Sequence, residues 1–281
     1  MPPFTLIARI RLLLVGLHLL YGALQAALLF RLAGTAGRQH LTRTWSRQLL
    51  TLLGIRVEAD ARDLARIGAG LLVGNHISFI DIFVINALLP SSFVAKSEVA
   101  GWPLIGWLSR HAGTVFIERG NRKAAHRTHQ QMLRLLGAGQ RLAIFPEGTS
   151  TAGDTVMPFH AALFQSAIDA AVPVHAIALG YRGPDGLRSA APAYIGDISL
   201  MECLLSILHS GPLVAQLTLA ASFDAPLPDR RHLAHRAHHA VAATLARAAG
   251  SPHPYPDPSN KGRNPQNGGL QHLRNDAAIM P

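Results

Sequence analysis

From Ile55 to Leu219 the chain alternates short apolar, β-prone runs with helical stretches, and no other feature narrows its fold as far. The β-prone runs lie at Ile55–Glu58, Leu71–Gly74, Phe93–Ala95, Thr114–Ile117, Leu142–Phe145, Val174–Gly180 and Val214–Leu219. Helices are expected over Phe79–Leu88, Leu104–His111, Arg122–Leu136, Ala161–Ala170 and Leu200–Leu208, and a last one over Asp229–Ala249. Strands joined through helices build a largely parallel sheet, because each crossover helix packs back over the strands it connects. The expected fold is α/β, a single αβα domain over residues 54–249 with a largely parallel mixed sheet. The sequence contains no internal repeat.

A different texture precedes this domain. Leu12–Phe30 reads LLLVGLHLLYGALQAALLF, without a formal charge. As a helix it reaches roughly 28 Å at ~1.5 Å per residue, about the thickness of a hydrocarbon core. It is too long for the apolar core of a signal peptide. Arg9 and Arg11 precede it, and Arg31, Arg38, Arg43 and Arg47 follow, so the charges set no orientation. The next segment, Arg38–Leu53, puts Leu41, Trp45, Leu49 and Leu52 on one helical face, with Arg43 and Arg47 opposite, which suits an interfacial helix. Residues 1–53 are therefore expected to anchor the domain to a membrane, as a simple span or as a monotopic hairpin. The Pro-, Asn- and Gly-rich tail, residues 250–281, is expected to be disordered.

Lys plus Arg total 26 against 16 acids, a formal net charge of +10, which calls for an anionic partner. Aromatics make up only 6%. With no zinc spacing and no basic stripe interleaved with aromatics, the charge favours an anionic membrane leaflet over nucleic acid. The single cysteine, Cys203, excludes an internal disulfide. It lies in an apolar run and reads as core. His232, His235, His238 and His239 sit among Arg230, Arg231 and Arg236. Lacking a His-Glu-x-x-His motif, they read as a solvated basic helix facing lipid head groups, and no metal site is expected.

Three stretches carry chemistry. Gly74-Asn75-His76-Ile77-Ser78-Phe79-Ile80-Asp81 follows the run Leu71–Val73 and opens a helix. Such strand-to-helix turns form the binding crevice of open α/β sheets. Ser78 and Asp81 read as a capping box, with Ser78 at the N-cap and Asp81 at the third helical position. On a continuous helix, His76 and Asp81 would point about 140° apart at ~3.6 residues per turn, so only a turn brings them into contact. An imidazole held by a carboxylate has a fixed tautomer and a stabilised charged form, as a general base requires. The second stretch is Phe145-Pro146-Glu147-Gly148-Thr149. Its glutamate suits a hydroxyl-rich acceptor, and the amides of Gly148 and Thr149 suit an oxyanion. In the third, Gly113 to Lys123, the cations Arg119, Arg122 and Lys123 gather at a helix start, where they oppose the helix dipole unless an anion lies between them. Lys96, at the end of another strand, is placed to join them.

Asn75-His76-x-Ser78-x-x-Asp81, Val115-Phe116-Ile117-Glu118-Arg119, Phe145-Pro146-Glu147-Gly148-Thr149 and Val172-Pro173-Val174 resemble, in order and spacing, four blocks of the glycerolipid acyltransferase family. The best-known members of that family acylate 1-acyl-glycerol-3-phosphate. The resemblance runs from Leu71 to Tyr181 and implies roles residue by residue. His76 would deprotonate the acceptor hydroxyl and Asp81 would hold the imidazole. Arg119, with Lys96 and Arg122, would bind the acceptor's anionic head group. Asn75, Ser78, Phe145, Pro146, Glu147, Gly148 and Thr149 would line the substrate site. Val172–Val174 would be structural or line the acyl site. Block two ends Ile-Glu-Arg where many glycerol-phosphate enzymes have Ile-Asp-Arg, which leaves lyso-ornithine lipid open as an acceptor. The resemblance further implies direct transfer from an acyl carrier protein or acyl-CoA thioester, without cofactor or metal. It places the domain on the cytoplasmic side of the cell inner membrane. No Gly-x-Ser-x-Gly elbow points to a covalent serine intermediate.

Overall fold

The computed structural model describes residues 6–118 and 122–249. Two helices come first, α1 (Leu6–Leu28) and α2 (Thr35–Leu52). Then follow β1 (Ile55–Glu58), α3 (Ala61–Arg66), β2 (Gly70–Gly74), α4 (Asp81–Leu88), β3 (Ser92–Lys96) and α5 (Ile105–His111). Next come β4 (Val115–Ile117), α6 (Arg122–Gly137), β5 (Arg141–Ile144) and α7 (Gln165–Asp169). The described chain ends with β6 (Val174–Arg182), α8 (Leu200–His209), β7 (Leu213–Phe223) and α9 (Arg230–Ala249).

The strands form one seven-stranded sheet in the order β1-β7-β6-β2-β5-β3-β4. Every pair is parallel except β6 with β7, so the expected α/β architecture with a largely parallel mixed sheet is what forms. Five strands, from β6 across to β4, share one direction and end at a common edge. Alternation along each strand sends residues to opposite faces. Leu71 and Val73 of β2 enter one core with Met132, Leu136, Phe164 and Leu233, under α6, α7 and α9. Leu72 enters the other with Leu50, Ile80, Val84, Cys203 and Ile207, under α2, α4 and α8.

All seven expected strands are present, with ends shifted by a few residues. α3 was not expected; Asp60 starts it by accepting the Arg62 amide at 2.7 Å. The helix expected over Ala161–Ala170 divides into a 3-10 turn, Ala161–Phe164, and α7. The tail from residue 250 lies outside the described residues.

α1 is long and apolar enough to cross a membrane, and Leu6, Ile7, Leu13, Leu17, Leu20, Leu24 and Leu28 along it are exposed. It is clasped to α2 at mid-length. The Trp45 indole N–H donates to the His18 carbonyl at 3.1 Å, and His18 Nε2 meets the Trp45 carbonyl at 3.0 Å. Their rings stack with centroids 4.9 Å apart. Gly22 admits the indole, since a Cβ there would fall 2.4 Å from its nitrogen. α2 in turn docks on α4. Arg43 and Arg47, on the face opposite Leu41, Trp45, Leu49 and Leu52, donate to the Leu88 and Ala87 carbonyls at 3.3 and 2.8 Å. They satisfy carbonyls that a helix C-terminus leaves without intrahelical partners.

Candidate active site

β2 leads into α4 through Asn75–Ile80, at the edge where the five co-directional strands end. Asn75 is fully buried. Its Oδ1 accepts the Leu179 amide at 2.8 Å, and its Nδ2 donates to the Leu179 carbonyl at 2.9 Å. Backbone pairing of β2 with β6 ends at Gly74 and Ile177, and the Asn75 side chain continues it one step further. Expected among the substrate contacts, Asn75 instead fixes where the turn leaves the sheet.

Asp81 begins α4 with none of its side chain exposed. Its Oδ2 meets His76 Nδ1 at 2.9 Å and accepts the Ile77 and Ser78 amides at 2.7 and 3.0 Å. Its Oδ1 accepts the Tyr181 hydroxyl at 2.6 Å. A carboxylate only accepts, so the His76 nitrogen facing it carries the proton. That leaves Nε2 of the neutral ring as the acceptor. The imidazole is 22% exposed, and Nε2 has no hydrogen bond among the described residues. Burial, reinforced by the Asp81 charge, pushes the Tyr181 phenol well above its ordinary value, which keeps it a donor.

The cap differs from the box expected. Ser78 Oγ accepts the Ile80 amide at 3.3 Å, and the Asp81 amide bonds to the Ser78 carbonyl at 3.1 Å. Asp81 turns back toward the turn, where three donors gather, and α4 starts there rather than at Phe79. Ser78 is fully buried, so it shapes the turn rather than facing a substrate.

The loop after β5 grips His76 from the other side. Phe145 stacks on the imidazole, with centroids 4.1 Å apart and planes inclined by 11°. Glu147 is buried; its Oε1 accepts the His76 amide and its Oε2 the Met157 amide, both at 2.7 Å. Burial raises the Glu147 carboxyl above its ordinary range, and the two amides oppose that shift. The Thr151 amide donates to the His76 carbonyl at 2.9 Å. Glu147, expected to meet the acceptor, is thus committed on both oxygens to the protein backbone. The Gly148 amide, expected for an oxyanion, donates to the Phe145 carbonyl at 3.1 Å; this closes a turn for which Gly148 takes φ 70°. Pro146 is buried and its carbonyl accepts the His160 amide at 2.9 Å, whereas Thr149 is exposed.

Lys96 is exposed at the end of β3, in register with Ile117 of β4, which Glu118 and Arg119 follow in the chain. Arg119 and the Arg122 side chain lie outside the described residues. Cys203 is buried against the Pro192 carbonyl at 3.4 Å, and burial pushes its thiol up to about 11, which withdraws it as a nucleophile. Sequence reasoning missed Tyr181, Thr151 and Met157. Tyr181 had one readable signal, a polar tip ending the apolar strand β6. Met157 acts through its backbone amide, and Thr151 through its amide and its hydroxyl on the His76 carbonyl; neither carries a local signal.

The dyad can take a proton at Nε2 from a group that reaches the partly exposed ring, and Asp81 compensates the charge that develops. Residues 56–180 match the acyltransferase family. A 1-acyl-sn-glycerol-3-phosphate acyltransferase of Neisseria meningitidis is 37% identical over 66% of this chain and 72% of its own. A lyso-ornithine lipid O-acyltransferase of Pseudomonas aeruginosa is 38% identical over 85% of this chain and 95% of its own. The crystal structure of a 1-acyl-sn-glycerophosphate acyltransferase from Thermotoga maritima is 19% identical, with a TM-score of 0.63 over 86% of this chain and 98% of that one, and so shares the fold.

Proposed function

The chain belongs to the acyltransferase family, and on that premise we propose that it moves a fatty acyl group from a thioester to the free hydroxyl of a lysolipid, 1-acyl-glycerol-3-phosphate, giving phosphatidic acid. The observation that carries this reading is the His76–Asp81 contact at 2.9 Å, which leaves Nε2 without a hydrogen bond among the described residues. His76 Nε2 takes the hydroxyl proton as the acceptor oxygen bonds to the thioester carbonyl carbon. The tetrahedral intermediate then collapses, the carbon–sulfur bond breaks, and Nε2 returns the proton to the departing thiolate. Asp81 and Tyr181 fix the tautomer, while Glu147 and Thr151 hold the His76 backbone so that the ring need not reorganise during the step. The thioester supplies the driving force, so the reaction calls on no cofactor or metal. Arg119, helped by Lys96 and Arg122, binds the acceptor's anionic head group; Arg119→Ala is expected to raise the acceptor KM more than it lowers kcat.

A lyso-ornithine lipid is the second reading. What favours it is the nearly full-length match to an enzyme named for that acceptor, and Glu118 in block two. Purified protein incubated with a panel of lysolipids and with both carrier-protein and coenzyme A thioesters, read by lipid mass spectrometry, separates the two. Transfer to none of them would overturn the assignment.

The exposed leucines of α1 fit a lipid setting. The His18–Trp45 clasp puts the middle of α1 level with the middle of α2, whose other face packs on α4. A helix crossing the bilayer at that level would draw the catalytic domain in with it. The pair therefore lies in one leaflet as a hairpin. Cysteines introduced at Leu6 and at Arg31 should then be labelled by an impermeant reagent from the same side of a vesicle. Labelling from opposite sides would indicate a span.

A further inference from the structure

The two helical layers on the sheet meet different surroundings. α1 and α2 belong to the layer with α4 and α8; α6, α7 and α9 cover the opposite face. Neither α6, RKAAHRTHQQMLRLLG, nor α9, RRHLAHRAHHAVAATLARAA, contains an acid. α9, expected to face lipid head groups, lies on the face away from the membrane helices.

α6 carries the sharper pattern. Lys123, Arg127 and Arg134 fall on one helical stripe and all are exposed, with His126 exposed beside them. Ala124, Thr128, Met132 and Leu136 form the buried stripe. At ~1.5 Å per residue the cationic stripe runs about 16 Å. It starts just past the end of β4, at the sheet edge that also carries His76. An exposed cationic stripe on a helix that contains no acid suits an anionic partner. The hairpin that meets lipid belongs to the other layer, so this partner arrives from water.

We propose that the stripe Lys123–Arg127–Arg134 docks an acidic acyl carrier protein and directs its thioester arm over the start of α6 toward His76. The inference rests on the acyl transfer proposed above. Opposite potentials raise the encounter rate and make it fall with salt, because exposed charges are screened within about 10 Å at moderate ionic strength.

The test is the double variant Arg127→Glu/Arg134→Glu of the full-length protein, assayed with palmitoyl-carrier protein and with palmitoyl-coenzyme A. We expect the carrier-thioester KM to rise about tenfold at unchanged kcat, and the coenzyme A KM to stay within about twofold. Salt should raise the wild-type carrier KM and leave the variant's nearly constant. Retained turnover of the coenzyme A thioester shows that the variant is folded. Equal shifts for both donors, or no shift, would overturn the proposal. So would a wild type that uses coenzyme A thioesters alone, or a variant whose defect is weaker binding to anionic vesicles. Transfer from neither donor to any lysolipid would instead sink the acyl-transfer reading, and the docking surface with it.

Discussion

At the edge of the sheet that carries His76, the buried Asn75, Asp81 and Glu147 have both of their side-chain polar atoms hydrogen-bonded. Toward the opposite edge, His175 and Arg43 each bury a nitrogen with no hydrogen-bond partner among the described residues. Both regions are dry, and a polar group stranded in a dry setting costs about 1–3 kcal/mol. The difference lies in what each region must do. Around His76, Asn75, Asp81 and Glu147 all bond backbone groups of the turn or its neighbours, and Asp81 also holds the ring, so the imidazole's place is fixed. Around His175 the sheet has only to close. Substitutions at the first edge should therefore lower turnover, and those at the second should change stability alone.

The strongest test of this contrast is His76→Ala. Removing a general base lowers kcat by at least ~10²-fold, while Asp81 keeps the Ile77, Ser78 and Tyr181 donors, so the melting temperature should fall only modestly. Near wild-type turnover would end the assignment of the base. Glu147→Gln comes next. Gln offers one accepting atom where Glu147 offers two, so either the His76 or the Met157 amide goes unpaired, at about 1–3 kcal/mol. We expect both kcat and the urea midpoint to drop; a fall in stability alone would mean that Glu147 closes the loop without placing His76. Tyr181→Phe should act more weakly, because Asp81 keeps three donors. A loss of about 1 kcal/mol and a severalfold lower kcat are expected. An unchanged kcat would show that Asp81 does not need its Oδ1 partner.

The sheet was legible in the sequence because each strand is a local apolar run and each crossover a local helical one. The His76–Asp81 contact was legible too, since five positions of chain and a turn suffice to close it. What stayed hidden was long-range. Asn75 meets Leu179 and Tyr181 meets Asp81 across about a hundred residues of chain, and no local pattern marks such a pair. Arg43 and Arg47 showed an amphipathic helix, yet the same pattern fits cations in water and cations capping another helix. Glu147 and Gly148 were read as facing a ligand because turn residues after a strand commonly do. Here the loop folds back: Glu147 holds the His76 and Met157 amides, and Gly148 closes the loop's own turn.

The smallest effect is expected at His175, where the second edge can be tested directly. Burial lowers its pKa below the ordinary 6.5, with Asp224 working against that shift and Arg141 adding to it. Nδ1 meets Ser222 Oγ at 2.9 Å, while Nε2 is stranded. A folded state that holds this ring neutral binds fewer protons than the unfolded chain once the pH falls below the unfolded value. Stability is therefore full above that value and declines as pH falls toward the folded one. The urea midpoint of the wild type should be lower at about pH 5.5 than at about pH 8. His175→Leu removes both the stranded nitrogen and the titration, at the price of an unpaired Ser222 hydroxyl. Its midpoint should depend less on pH over that interval, with turnover unaltered. An equally steep pH dependence in the variant would place the titrating group elsewhere, and a loss of turnover would show that the two edges are coupled through β6.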